Sequence, residues 1–356
     1  MSAFSTPLSP LSLPSPSGTL VSSFRSSNSW GGSPHFGQKF NNYRGHAKRA
    51  GPPWDDSDAD LVLRSAEDVE FRVHRIILAR SLSAFDLSSL FARSGDQELS
   101  EDGLPILRLP DGAETVATLL SALYPGPAPV LTNLSSIRAM LGSLDRYGAR
   151  FVPASIRSAL EALASAEPEQ TYVLACAARL PDIARTAARA TLRAPRQLAP
   201  VSRSDLLGLT ALQYHALVLY QDECRAASRE LASSFAWIAG DDVPGAVPAD
   251  PSRSALECGC AAAHEQTASR KGTHAVPYYL VPEWVRKFMA SVAEALVKDV
   301  RGEIARRPAM MIPALKEAFA CNDCANAVEV TFTAFAEKLE QQINQRISEV
   351  QLEVDA

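Results

Sequence analysis

The apolar residues between Phe71 and Phe91 change their spacing part-way, and that change narrows the folds open to this chain more than any other feature. Phe71 and Val73 alternate, as residues of a strand with one face on a core do. Ile77, Leu78, Leu82, Phe85, Leu90 and Phe91 then recur at helical spacing. Upstream, the run from Asp58 to Ser65 carries Leu61, Val62 and Leu63. It reads as the hairpin partner of the strand, joined to it through Ala66 to Val69. A hairpin that feeds directly into a helix requires a mixed fold.

Residues 1–54 hold 12 Ser, 7 Pro and 6 Gly, with no Asp or Glu. Such a stretch buries too little apolar surface to offset the entropy of ordering, so a disordered tail is expected there. Pro7, Pro10, Pro14 and Pro16 interrupt both the apolar core of a secretory signal and the amphipathic helix of a transit peptide. Ser9-Pro10 reads as a phosphorylatable site in a solvated tail. Ordered sequence then divides by period and punctuation. Residues 55–166 mix strand and helix patterns, and 167–240 carry only helical spacing. Residues 241–277, broken by Pro244, Pro248 and Pro251, read as a linker loop, and 278–356 are helical again. The expected fold class is α+β: a small sheet capped by helices, followed by an all-α region.

Several residues mark helix ends. Asp111, Asp182 and Thr210 stand where N-caps belong, Pro181 suits a helix start, and Gly148 suits a helix end. Pro282-Glu283-Trp284 opens a long helix that Pro308 interrupts near Arg306-Arg307. Val328, Phe332, Phe335, Leu339, Ile343, Ile347, Val350 and Val354 then form one amphipathic stripe. Its consecutive four-residue steps fit a heptad poorly, which favours docking within the chain over coiled-coil pairing.

A formal charge of −5 gives no electrostatic case for binding nucleic acid. No apolar run approaches the roughly 20 residues that span a bilayer. With no export signal, the chain is expected in the nucleus or cytoplasm, and its six cysteines read as thiols or metal ligands rather than disulfides.

Asp60-Leu61, Val73-His74-Arg75, Leu78, Ser81, Phe85 and Phe91 fall in an order that, with Tyr124 and Tyr147-Gly148, resembles the BTB/POZ domain over roughly residues 58–165. That domain is a protein-interaction module with no chemistry of its own. The resemblance implies a homodimer and, near its interface, a charged pocket formed by a buried acid beside the first strand and a base just after the His. Those positions are Asp60 and Arg75 here; read as residues alone, both suit solvated surface charges equally well. Leu180 to Leu192 and Leu212 to Tyr220 resemble the helical extension of BTB proteins from mushroom-forming fungi, which implies architecture rather than activity. BTB proteins also serve as adaptors for cullin-type ligase scaffolds or as dimerising parts of transcription regulators. Where cullin adaptors carry an apolar-x-Glu turn after the third helix, this chain has Gly126-Pro127-Ala128-Pro129-Val130-Leu131-Thr132.

No Ser, Cys or acid is spaced around His74 as a catalytic triad would need, so His74 is expected to bond backbone groups at a helix start. Cys176 and Cys224 lie on apolar helical faces and read as buried small hydrophobes. Cys258-x-Cys260 and Cys321-x-x-Cys324 form close pairs that together offer four thiolates to one tetrahedral zinc, with His264 as an alternative ligand. Short pairs of this kind also occur by chance. The chain is therefore expected to be a non-enzymatic adaptor or scaffold that self-associates and needs no cofactor beyond a structural zinc. The rival expectation is a hydrolase that uses a Cys-rich zinc site in the C-terminal half.

Overall fold

The computed structural model describes residues 47–85, 98–193, 201–206, 208–249, 260, 262–268 and 277–353. Its first sheet is built on the expected hairpin. β1 (Lys48–Arg49) lies parallel to β3 (Val69–Val73), which is antiparallel to β2 (Leu61–Arg64). β2 is in turn parallel to β4 (Ile106–Arg108), so the order is β1-β3-β2-β4. Ser65 Oγ accepts the N–H groups of Glu67 and Val69 at 3.3 and 3.2 Å, closing the turn, and Asp68 adopts the left-handed region there. All four residues of β2 are buried, as an inner strand covered on both faces requires. Arg64 at its end is neutralised by Glu70 and Glu98.

Past Val73 the chain passes through His74 into α1 (Arg75–Ser81). Leu78 and the following Leu82 join Leu61, Leu63, Phe71 and Val73 in the core. Leu90 and Phe91 lie outside the described residues. So do residues 1–46, where most of the expected disordered tail falls. Its last residues are different: β1 pairs with the sheet, and Trp54 is buried edge-on against Tyr124 with ring centroids 5.1 Å apart. The folded unit therefore starts before residue 55.

α2 (Ala113–Leu123), α3 (Leu134–Arg146) and α4 (Ala154–Leu163) follow, contributing Val116, Leu120, Ile137, Met140, Ile156 and Leu160 to the same core. Asp111 is not the N-cap of α2. Gly112 holds that position, and the end is capped from across the fold, where Glu67 Oε2 accepts the Ala113 N–H at 2.7 Å. The Asp111 carboxylate turns to α3 instead, accepting hydrogen bonds from Ser143 Oγ at 2.8 Å, from Arg146 at 2.5 Å and from the Tyr147 hydroxyl. Burial, then the Asp111 carboxylate, raise the pKa of the Tyr147 phenol and keep it protonated. Gly148 closes α3 with φ 61°, a left-handed end that suits glycine.

The helical extension comprises α5 (Pro168–Ala177), α6 (Pro181–Thr191), α7 (Arg203–Leu206) and α8 (Ala211–Ala232). α5 is buried all round from Thr171 to Cys176, because α3, α4, α6 and α7 all pack on it. Asp182 does not cap α6: Leu180 is the N-cap and Pro181 takes the first turn. Thr210 does cap α8, in a reciprocal box. Its Oγ1 accepts the Gln213 N–H at 3.1 Å, and Gln213 Oε1 accepts the Thr210 N–H at 3.0 Å. Leu217, Tyr220, Cys224 and Leu231 face inward, whereas Leu212 is exposed. The hydrophobic core runs without a break from Trp54 to Leu352.

The remainder is not all-α. β5 (Phe235–Ala239), β6 (Val247–Pro248), β7 (Ala262–Ala268) and β8 (Tyr278–Pro282) form a second sheet in the order β5-β7-β8-β6. β6 and β7 occupy the expected linker loop. β7 reads Ala-Ala-His-Glu-Gln-Thr-Ala, and only Thr267 is buried, so its strand conformation comes from the ladder with β8 rather than from an apolar alternation of its own.

α9 (Glu283–Ala295) starts where expected but stops at Leu296, short of Pro308. After a 3₁₀ turn at Gly302–Arg306, Pro308 begins α10 (Pro308–Ala318) rather than interrupting a helix. α11 (Asn322–Ala327) passes through a π-helical turn, Val328–Phe332, into α12 (Thr333–Glu349). The stripe docks within the chain. Phe335, Leu339, Ile343 and Ile347 are buried, with α12 packed on α8 and on the 3₁₀ turn. Val354 lies outside the described residues. Among the described residues no helix is long and apolar enough to cross a membrane.

The 3₁₀ turn meets α12 closely at Gly302, where a Cβ would stand 2.3 Å from the Glu340 carbonyl oxygen and 2.7 Å from Asn344 Nδ2. Backbone cannot yield as a side-chain tip can, so Gly302→Ala is expected to destabilise the protein by about 1–3 kcal/mol in urea unfolding. Wild-type stability in that variant would mean that α12 is free to shift away from the turn.

Candidate functional site

The sulfurs of Cys260, Cys321 and Cys324 lie within 4.8 Å of one another, and this group could hold a metal ion. Cys260 stands just ahead of β7, while Cys321 and Cys324 sit at the start of α11, so the tertiary fold joins residues sixty-odd positions apart. Cys324 Sγ is 3.8 Å from Cys260 Sγ. Cys324 is buried in the core, and the other two are partly buried against it. The backbone N–H of Cys324, then the Cys260 side chain, hold the Cys321 thiol down, to about 7. Cys321 is the N-cap of α11 by position and makes no side-chain capping hydrogen bond.

Cys258, the fourth ligand expected from the sequence, lies outside the described residues. His264 is exposed on β7 and is not in the group. Cys176 and Cys224 are buried as expected, and burial pushes both thiols up to about 11, which makes them poor nucleophiles and poor ligands.

At the other end of the chain, Asp60 and Arg75 meet across the junction of β2 and α1. The Arg75 N–H donates to Asp60 Oδ1 at 2.8 Å, and Arg75 Nε donates to the Asp60 carbonyl at 3.1 Å. Asp60 is exposed in the single chain and Arg75 is partly so; Ile76 beside them is 69% exposed. His74 is the N-cap of α1 by position, yet its ring makes no capping bond. Its backbone N–H donates to the Tyr124 hydroxyl at 2.6 Å, and the ring lies 3.4 Å from the same oxygen. Tyr124 thus ties the strand-to-helix junction to the end of α2. No spacing rule links residues fifty positions apart, so the sequence carried no sign of this pair.

No protein-family model matches this chain, and no curated protein matches it.

Proposed function

We propose that this chain is a non-enzymatic interaction protein of the nucleus or cytoplasm, which self-associates through the hairpin–α1 face of residues 55–166 and serves as an adaptor or scaffold. The observation that carries the reading is the Asp60–Arg75 contact. The resemblance to BTB/POZ domains puts an acid and a base at these two positions in a pocket beside a homodimer interface; here they meet through backbone groups, the Arg75 N–H on the Asp60 carboxylate and Arg75 Nε on the Asp60 carbonyl, with Asp60 exposed in the single chain. Asp60 and Ile76 are open in one copy and would be covered by a second. The order of elements also supports it: a hairpin, a helix, a strand parallel to the first of the hairpin, then α2 to α4.

The same reading takes the cysteine group as a structural zinc centre. Among the described residues the group contains thiols alone, with no imidazole or carboxylate to serve a metal-bound water. Closed all-thiolate sites are structural, and Cys258, the fourth thiolate expected from the sequence, would close this one; catalytic zinc instead keeps an open position with a nearby acid or base.

Sedimentation of the full-length chain over a concentration series tests self-association. The expected result is a dimer at tens of micromolar that Asp60→Arg or Ile76→Asp converts to a folded monomer, because either change places like or unpaired charge in the contact. A wild-type chain that stays monomeric at that concentration overturns the reading.

A further inference from the structure

We propose that Cys260, Cys321 and Cys324 bind one thiophilic divalent cation, zinc in the cell, which acts as a staple holding the second sheet to the terminal helical segment. This rests on the structural-zinc reading and extends it to what the ion does.

The geometry suits the ion. Zinc–sulfur bonds of about 2.3 Å in a tetrahedron place neighbouring sulfurs about 3.8 Å apart. Cys260 Sγ and Cys324 Sγ stand 3.8 Å apart without any ion, and all three sulfurs lie within 4.8 Å. The donor set is soft, so it selects zinc, cobalt or cadmium over magnesium and calcium, which require oxygen ligands.

The location gives the ion its role. β7 buries only Thr267, and its pairing with β5 is irregular in register. α11 is a short helix with Cys324 as a buried residue, and it breaks into the π-helical turn before α12. Neither segment has much apolar surface to hold it to the other. A metal bonded to both would close a loop of roughly sixty residues, and the binding free energy would appear as stability of this region. The β1–β4 sheet buries its own hairpin residues Leu61, Leu63, Phe71 and Val73 and contains none of the three cysteines, so it is expected to keep its protection without the ion.

The test uses the full-length chain. Purified without chelator, it is expected to carry about one zinc per chain by mass spectrometry of the metal. Cys321→Ser and Cys324→Ser should each lower zinc retention about tenfold or more, while Cys176→Ala leaves it unchanged. A serine variant can lose metal by misfolding, so the metal-free wild-type chain is also titrated with cobalt. Thiolate-to-cobalt charge-transfer absorption should saturate at about one equivalent and vanish on adding zinc. Hydrogen exchange then compares the metal-free and zinc-loaded forms. Removal of zinc should speed exchange in 262–268, 278–282 and 322–349 and leave 61–73 unaltered. Absence of both zinc and the cobalt band overturns the metal site itself. Bound metal with equal exchange in both forms overturns the staple and leaves the zinc reading standing. Neither result touches self-association, which sedimentation measures separately.

Discussion

Phe335→Asp is expected to destabilise the protein by at least about 4 kcal/mol, to the same extent at every protein concentration. Phe335 is 1% exposed, and its ring lies 5.8 Å from that of Trp237 and 6.2 Å from that of Phe288. Phe288 in turn meets Phe332 edge-on at 5.0 Å, so the substitution places a carboxylate inside a cluster drawn from β5, α9 and the segment leading into α12. The indole N–H of Trp237, whose ring lies against Phe335, is already committed to the Ser234 carbonyl and does not offset the lost hydration of the charge. Removing the ring forfeits burial worth about 3–5 kcal/mol even before the charge is counted. Phe335→Leu keeps an apolar side chain in the same place and should cost only about 1–2 kcal/mol. Denaturant unfolding at two widely separated concentrations, together with sedimentation, is the measurement. If Phe335→Asp instead splits an oligomer into folded monomers that melt as wild type does, α12 is an interface between chains.

Asp111→Ala should cost about 3 kcal/mol, a large effect for a residue just outside a helix. Its carboxylate accepts from Ser143, Arg146 and Tyr147 at once, and Tyr147 is 1% exposed, so its hydroxyl cannot turn to water when the acceptor goes. Arg146 is partly exposed and can rehydrate, and Ser143 Oγ keeps the Ala139 carbonyl as an acceptor at 3.0 Å, so most of the loss belongs to the phenol. Tyr147→Phe removes the hydroxyl that donates to Asp111. The double variant Asp111→Ala with Tyr147→Phe should therefore be more stable than the sum of the single effects by about 1 kcal/mol. Urea unfolding of the four proteins measures the coupling. Additive losses, or an Asp111→Ala chain within about 0.5 kcal/mol of wild type, would show that α3 is held by its apolar face alone.

These two sites mark the division between what neighbouring residues decide and what the assembled fold decides. The hairpin and α1 follow from a change of period between Phe71 and Leu82, and the start of α8 follows from Thr210 and Gln213, because both depend on contacts within a few residues. The buried stripe from Phe332 to Ile347 was legible for the same reason, since side chains three and four apart share a helix face wherever the helix docks. Cys258-x-Cys260 and Cys321-x-x-Cys324 were readable as two close pairs expected to share one ion, and the meeting of Cys260 with Cys321 and Cys324 comes about through where β7 lies. Asp111 looked like a cap from its position, yet Glu67 supplies the cap, and Tyr147, Arg146 and Ser143 claim the carboxylate. β7 has no alternation to betray it, and His74 meets a tyrosine fifty residues away. Apolar periodicity is repeated along the chain, and so it survives in the sequence. The partner of a polar group, or of a strand with little apolar surface, is chosen only when distant segments meet, and one-dimensional spacing holds no record of that choice.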